Sequence, residues 1–187
     1  MRRIIMIAVS LLLVGGMLFS AAKIAVSIAS ERRADKLLPI IADTLEEIIP
    51  SRTAGCLEER YDMSLPSISL EGEDFCGLLE VELYDEKLPV YSLWTKSSAK
   101  RPALYMGNPY DGSLIIGVRQ EQFDFADSMD IGVTVKFTDL YGREFCYTVD
   151  SIKHSSSADT DILQSGSDQL TLFVKIDGQY LILRCVL

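Results

Sequence analysis

The chain has one histidine, one tryptophan and four cysteines in 187 residues. Each scarcity excludes something. Zinc sites use several Cys or His at short spacing, and Cys56, Cys76, Cys146 and Cys185 form no such pair. Acid–base work by an imidazole has only His154 to draw on. Basic residues are few as well: 18 Lys and Arg stand against 27 Asp and Glu, a net charge of −9. That balance excludes nucleic acid, or anionic lipid, as a partner held by a basic patch. The acidic residues Glu121, Asp124, Asp127 and Asp130 lack the spacing of an EF-hand and read as a solvated charge run. No cofactor and no metal are expected.

What is present begins at the N-terminus. Ile4 to Ala22 carries no charge, and a second uncharged stretch, Ile24 to Ser30, follows Lys23. About twenty apolar residues span a bilayer as a helix, with every backbone group bonded within the segment. Arg2 and Arg3 precede the run, which puts the N-terminus in the cytoplasm and the rest outside. The expectation is a single-pass signal anchor over residues 1–31. A cleaved signal peptide ending near Ser20-Ala21-Ala22 is the competing reading, and the apolar character continuing past that site favours the anchor. With Arg2, Arg3, Lys23 and Glu31 set aside, the 18 basic and 27 acidic residues become 15 and 26, so the exterior part carries −11. Outside the cell, disulfides persist, and four cysteines leave three pairings open.

Residues 32–73 read as a helical stalk and linker. Leu37, Leu38, Ile41, Leu45, Ile48 and Ile49 recur at helical steps, and Pro50 marks the end. From Arg52 to Glu73 no period is sustained. From residue 74 to 187 the pattern is that of strands: Gly77–Leu83, Leu88–Leu93, Leu114–Ile116, Val133–Phe137, Phe145–Ile152, Leu170–Val174 and Tyr180–Val186. Asp139–Gly142 and Asp177-Gly178 supply hairpin turns. Gln122–Met129 and Asp159–Leu163 read as single helical turns. Seven or eight short strands at this spacing predict an all-β barrel or sandwich.

The order of the segments resembles the sortases, the cysteine transpeptidases that attach proteins to Gram-positive cell walls. Asp74-Phe75-Cys76-Gly77-Leu78-Leu79-Glu80-Val81 is similar to their opening strand, with Glu82 where a proline usually stands. Leu88-Pro89-Val90-Tyr91 resembles their Leu-Pro-Val-Tyr strand. Tyr105-Met106-Gly107 and Asp111 to Gly117 resemble the run before their Gly-His. Phe137-Thr138-Asp139 through Tyr147-Thr148-Val149 resembles a later hairpin, and Leu170-Thr171-Leu172-Phe173 with Leu183-Arg184-Cys185 the last one. The similarity is nearest the class B-like, clostridial type. It implies a closed β-barrel behind the anchor.

The same resemblance removes the expected chemistry. The family's histidine falls on Val118. Its cysteine, at the end of a Thr-Leu-x-Thr-Cys strand, falls on Lys175. Its arginine falls on Tyr180, or on Gln179 if the register slips by one. A sortase needs a thiolate nucleophile, a proton donor for the leaving amine and a cation for the oxyanion. Val118 transfers no proton, and Tyr180 carries no charge near neutral pH. The reading is a catalytically inactive pseudosortase that binds or scaffolds sorting-signal peptides, pilins or other surface proteins, or an active sortase. Two alternatives stay open, an active transpeptidase or hydrolase with relocated residues and a structural cell-surface domain. Tyr91, Trp94, Val118, Arg119, Lys175 and Tyr180 are the groove candidates. Cys146 and Cys185 read as buried small hydrophobes or a disulfide pair. His154 reads as an exposed residue opening a loop. Arg184, on Tyr180's strand face but displaced by about 13 Å, reads as a surface residue at the barrel end.

Overall fold

The computed structural model of the chain describes residues 25, 28–29, 32–33, 35–56, 64–84, 86–95, 100–123, 129–164 and 168–187. Two compact units are present, Met1–Leu37 and Leu38–Leu187. The expected membrane run, Ile4 to Ala22, lies outside the described residues. Among the described residues no helix is long and apolar enough to cross a membrane.

Helix α1 covers residues 35–48. The apolar period of the sequence becomes a buried stripe of Leu38, Ile41, Ala42, Leu45 and Ile49. Each large apolar side chain so buried contributes about 1.5–3 kcal/mol. Glu46 at its end takes ion pairs from Lys87 (2.5 Å) and Arg52 (3.3 Å). Arg52 also pairs with Glu80 at 2.6 Å and Glu144 at 3.0 Å. Strand β1 (Thr53–Ala54) then runs parallel to β8, with Thr53 N–H donating to Gly142 O and Gly55 N–H to Glu144 O. Leu38 to Gly55 is therefore laid on the barrel, where a stalk was expected. Strand β2 (Ile68–Leu70), in the stretch that showed no period, pairs with β3.

The remaining strands are β3 (Glu73–Val81), β4 (Glu86–Tyr91), β5 (Ala103–Met106), β6 (Leu114–Val118), β7 (Thr134–Asp139), β8 (Arg143–Ser155), β9 (Leu170–Ile176) and β10 (Gln179–Val186). Their pairing, β3-β4-β5-β6-β9-β10-β8-β7 and back to β3, closes an eight-strand barrel. One helical turn, α2 (Thr160–Leu163), lies between β8 and β9. The β9–β10 hairpin turns on Asp177 (φ 47°) and Gly178 (φ 86°), both left-handed, which suits the strand twist.

Alternation on β6, β9 and β10 separates two apolar clusters. Leu114, Ile116, Val118, Leu170, Leu172, Val174, Leu181, Leu183 and Cys185 join the barrel interior. Ile115, Phe173 and Ile182 face outward and pack with Leu163 of α2, Trp94, Tyr105 and Tyr180. The site lies on that outer face.

Candidate functional site: an aromatic and cationic cavity on the outer face

A cavity of about 460 Å³ opens over the ends of β6, β9 and β10. Trp94, Arg101 and Tyr105 come to it from the β4–β5 connection and β5. Val118 to Glu121 come from the end of β6, Phe173 and Lys175 from β9, Tyr180 from β10 and Ala158 from the β8–β9 connection. Its apolar wall is a set of touching rings. Trp94 meets Tyr105 at 5.3 Å and Phe173 at 5.2 Å, Tyr105 meets Phe173 at 5.5 Å, and Phe173 meets Tyr180 at 6.4 Å. Gly117 makes room for this arrangement: a Cβ there would stand 2.1 Å from Trp94 Cζ3.

Among the described residues, three of the four charged groups in the cavity, Arg101, Arg119 and Lys175, are cationic. Lys175 and Tyr180 are direct cross-strand partners, and Lys175 Nζ lies 5.6 Å from the Tyr180 ring centroid. Arg101 stacks its guanidinium 3.4 Å from the Trp94 ring centroid and donates to Thr95 O at 3.3 Å. Burial pushes Arg101 down to about 10, against the opposing influence of the Tyr180 phenol, so it stays charged at neutral pH. Arg119 is buried at the rim, and Glu121 is the one carboxylate lining the cavity among the described residues.

Five of the six groove candidates thus meet here: Trp94, Val118, Arg119, Lys175 and Tyr180. Val118 is placed differently from the other four. It packs into the interior cluster, while Gly117 and Phe173 on its neighbouring positions belong to the outer face. Tyr91 is not in the cavity; it is buried in β4 with its ring 4.6 Å from Phe75. Arg101 was missed, because it follows a polar stretch with no period and matches no motif.

Three other expectations need correction. Arg184 is not a surface residue. It is 3% exposed, with an ion pair to Asp168 at 2.5 Å and a hydrogen bond donated to Ile162 O at 2.5 Å, so α2 and the following connection cover it. His154 does not open a loop; β8 extends through it to Ser155, and it stands opposite Leu181, exposed and outside the cavity. Cys146 is exposed rather than buried, beside Glu144, and forms no disulfide.

All four cysteines are free thiols, and none lines the cavity. Burial pushes Cys76 and Cys185 up to about 12, and burial followed by Glu144 raises Cys146. A thiol held in this way is a poor source of thiolate. Among the described residues no cluster of three metal-ligating side chains occurs. Of the acidic run, Glu121 lines the cavity and Asp130 is exposed elsewhere, while Asp124 and Asp127 lie outside the described residues.

No protein-family model and no curated protein matches the sequence. Solved structures do. The sortase D5 transpeptidase of Clostridium perfringens is similar at a TM-score of 0.53 and 19% identity, over 64% of this chain and 81% of that one. Sortase A of Corynebacterium diphtheriae is similar at a TM-score of 0.51 and 14% identity, over 86% of this chain and 91% of that one. The likeness is one of fold: the chain has the closed eight-strand barrel of sortases.

Proposed function

We propose that the protein is a membrane-anchored, extracellular pseudosortase that binds sorting-signal peptides in the outer-face cavity without cleaving them. The observation that carries this is the pairing of Lys175 with Tyr180 across β9 and β10 on the cavity wall. These are the positions where the family resemblance puts a cysteine and an arginine. The cavity keeps an aromatic wall suited to a peptide, yet holds no thiol and no imidazole. That no cysteine lines the cavity speaks against a relocated nucleophile. The class B-like, clostridial subtype rests on the sequence resemblance alone, the anchor on the uncharged run Ile4 to Ala22 behind Arg2 and Arg3, and the partner is a surface protein, a pilin or an active sortase carrying or engaging such a peptide.

The test is to titrate the detergent-solubilised full chain with labelled sorting-signal peptides and an amine nucleophile, recording binding and cleavage with and without iodoacetamide. Saturable binding with no cleavage is expected. Cleavage that iodoacetamide abolishes would overturn the pseudoenzyme reading, and an absence of binding would overturn the peptide reading.

A further inference from the structure

We infer that this cavity recognises a carboxylate on its peptide ligand, seated between Arg101 and Lys175 with the aromatic wall beneath the neighbouring residues. The inference rests on the peptide-binding reading above and adds the chemistry of recognition. The molecule carries a net charge of −9, yet among the described residues the cavity sets Arg101 and Lys175, with Arg119 at its rim, against a single carboxylate, Glu121. Local sign reversal of this kind concentrates anions at a cleft.

Arg101 and Lys175 carry the inference. Among the described residues neither has an ion-pair partner. Arg101 donates one hydrogen bond, from Nη2 to a backbone carbonyl, and its buried Nε has no acceptor among the described residues. A half-buried guanidinium without an anion has lost hydration and gained little in return. Its planar fork fits a carboxylate in two-point contact. Stacking on Trp94 and proximity to Tyr180 fix the guanidinium in place before any ligand arrives. Lys175, exposed at the cavity wall and held near the Tyr180 ring, is the flexible second cation. A cysteine at position 175 would present a nucleophile to a peptide carbonyl; a lysine there presents a charge to a carboxylate. The cavity is therefore built to hold the end of a peptide, or an acidic side chain, and not to open a peptide bond.

The experiment uses the detergent-solubilised full chain and a random N-acetylated tetrapeptide library made in three versions: free C-terminal acid, C-terminal amide, and amide with aspartate at the last position. Retention is read by mass spectrometry, and the emission of Trp94, the one tryptophan in the chain, reports occupancy next to Arg101. Acids are expected to be retained at least about tenfold over amides, the scale of one charge-assisted hydrogen bond. Retention of the aspartyl amides at the level of the acids would support the carboxylate and show that a side chain serves as well as the chain end. Retention of acids alone would support it and assign it to the chain end. Equal retention of all three versions would overturn the inference and leave the peptide reading standing. Retention of none would overturn both. Lys175→Gln and Arg101→Gln should each bring the acid-to-amide retention ratio down toward one; an unaltered ratio in both variants would also overturn it. Lys175 is exposed, so its variant tests the inference even if the Arg101 variant folds poorly.

Discussion

Arg184 and Arg101 border the same outer face of the barrel, toward opposite ends of the β9–β10 hairpin, and their surroundings differ in one respect. Arg184 has a carboxylate, Asp168, and a backbone carbonyl from α2, and it is buried. Arg101 has an aromatic ring, one backbone carbonyl and an open cavity. One end of the face is closed by an ion pair, and at the other, among the described residues, Arg101 has no ion-pair partner. The guanidinium is the same group in both places. What it does is set by whether the fold supplies its anion. The closed end holds structure, and the open end is where the ligand is proposed to sit.

Replacing each arginine by methionine, which keeps the apolar stem, breaks the comparison most directly. Arg184→Met strands Asp168 and Ile162 O in a covered site, so about 3–5 kcal/mol of stability should be lost. Chemical denaturation of the full chain measures it, and a loss under 1 kcal/mol would mean the closed end is not closed by this pair. Gly117→Ala comes next. The added Cβ meets the Trp94 ring, and the displaced indole should cost about 1–3 kcal/mol while its emission shifts red. Unchanged emission would show that Trp94 does not depend on that gap. Arg101→Met should change stability by less than about 1 kcal/mol, since losing the cation–π contact and the hydrogen bond to Thr95 O is offset by removing a desolvated charge. A loss as large as that of Arg184→Met would erase the distinction between the two ends. Lys175→Gln is the smallest, within about 0.5 kcal/mol as for an ordinary surface change, read by thermal melting.

The barrel was largely legible because its signals are local. Asp177-Gly178 and the turn ending at Gly142 fixed the hairpins, and each strand from β3 to β10 except β5 showed as an apolar run. Boundaries slipped where the barrel, not the run, decides length: β8 continues to Ser155, since β10 pairs with it as far as Tyr180. The short strands β1 and β2 left no pattern because their pairing partners, β8 and β3, supply the order. That Lys175, Tyr180 and Trp94 would come to one cavity was readable from strand position and resemblance. Arg101 was not, because a loop residue acquires its role from the ring it lands on. Arg184 was misread for a related reason. Strand parity put it correctly on the outer face, but nothing in its own strand announced that α2 and Asp168 would cover that face. The exposure of Cys146 was open to the same parity count: Phe145 and Tyr147 on either side point inward.

The parallel pairing of β1 with β8 has a mechanical consequence. Two residues, Thr53 and Ala54, are held to Arg143 and Glu144 in register, with bonds of 2.8 and 2.7 Å to Gly142 O and Glu144 O from Thr53 and Gly55. Tension carried along β1 would load those bonds side by side in shear, lengthwise to the strand, instead of peeling them one at a time. Arg52, pinned to Glu80 and Glu144 just before the strand, shares that load. A domain gripped in this manner resists being pulled from its N-terminal side at the first point where the chain joins the sheet.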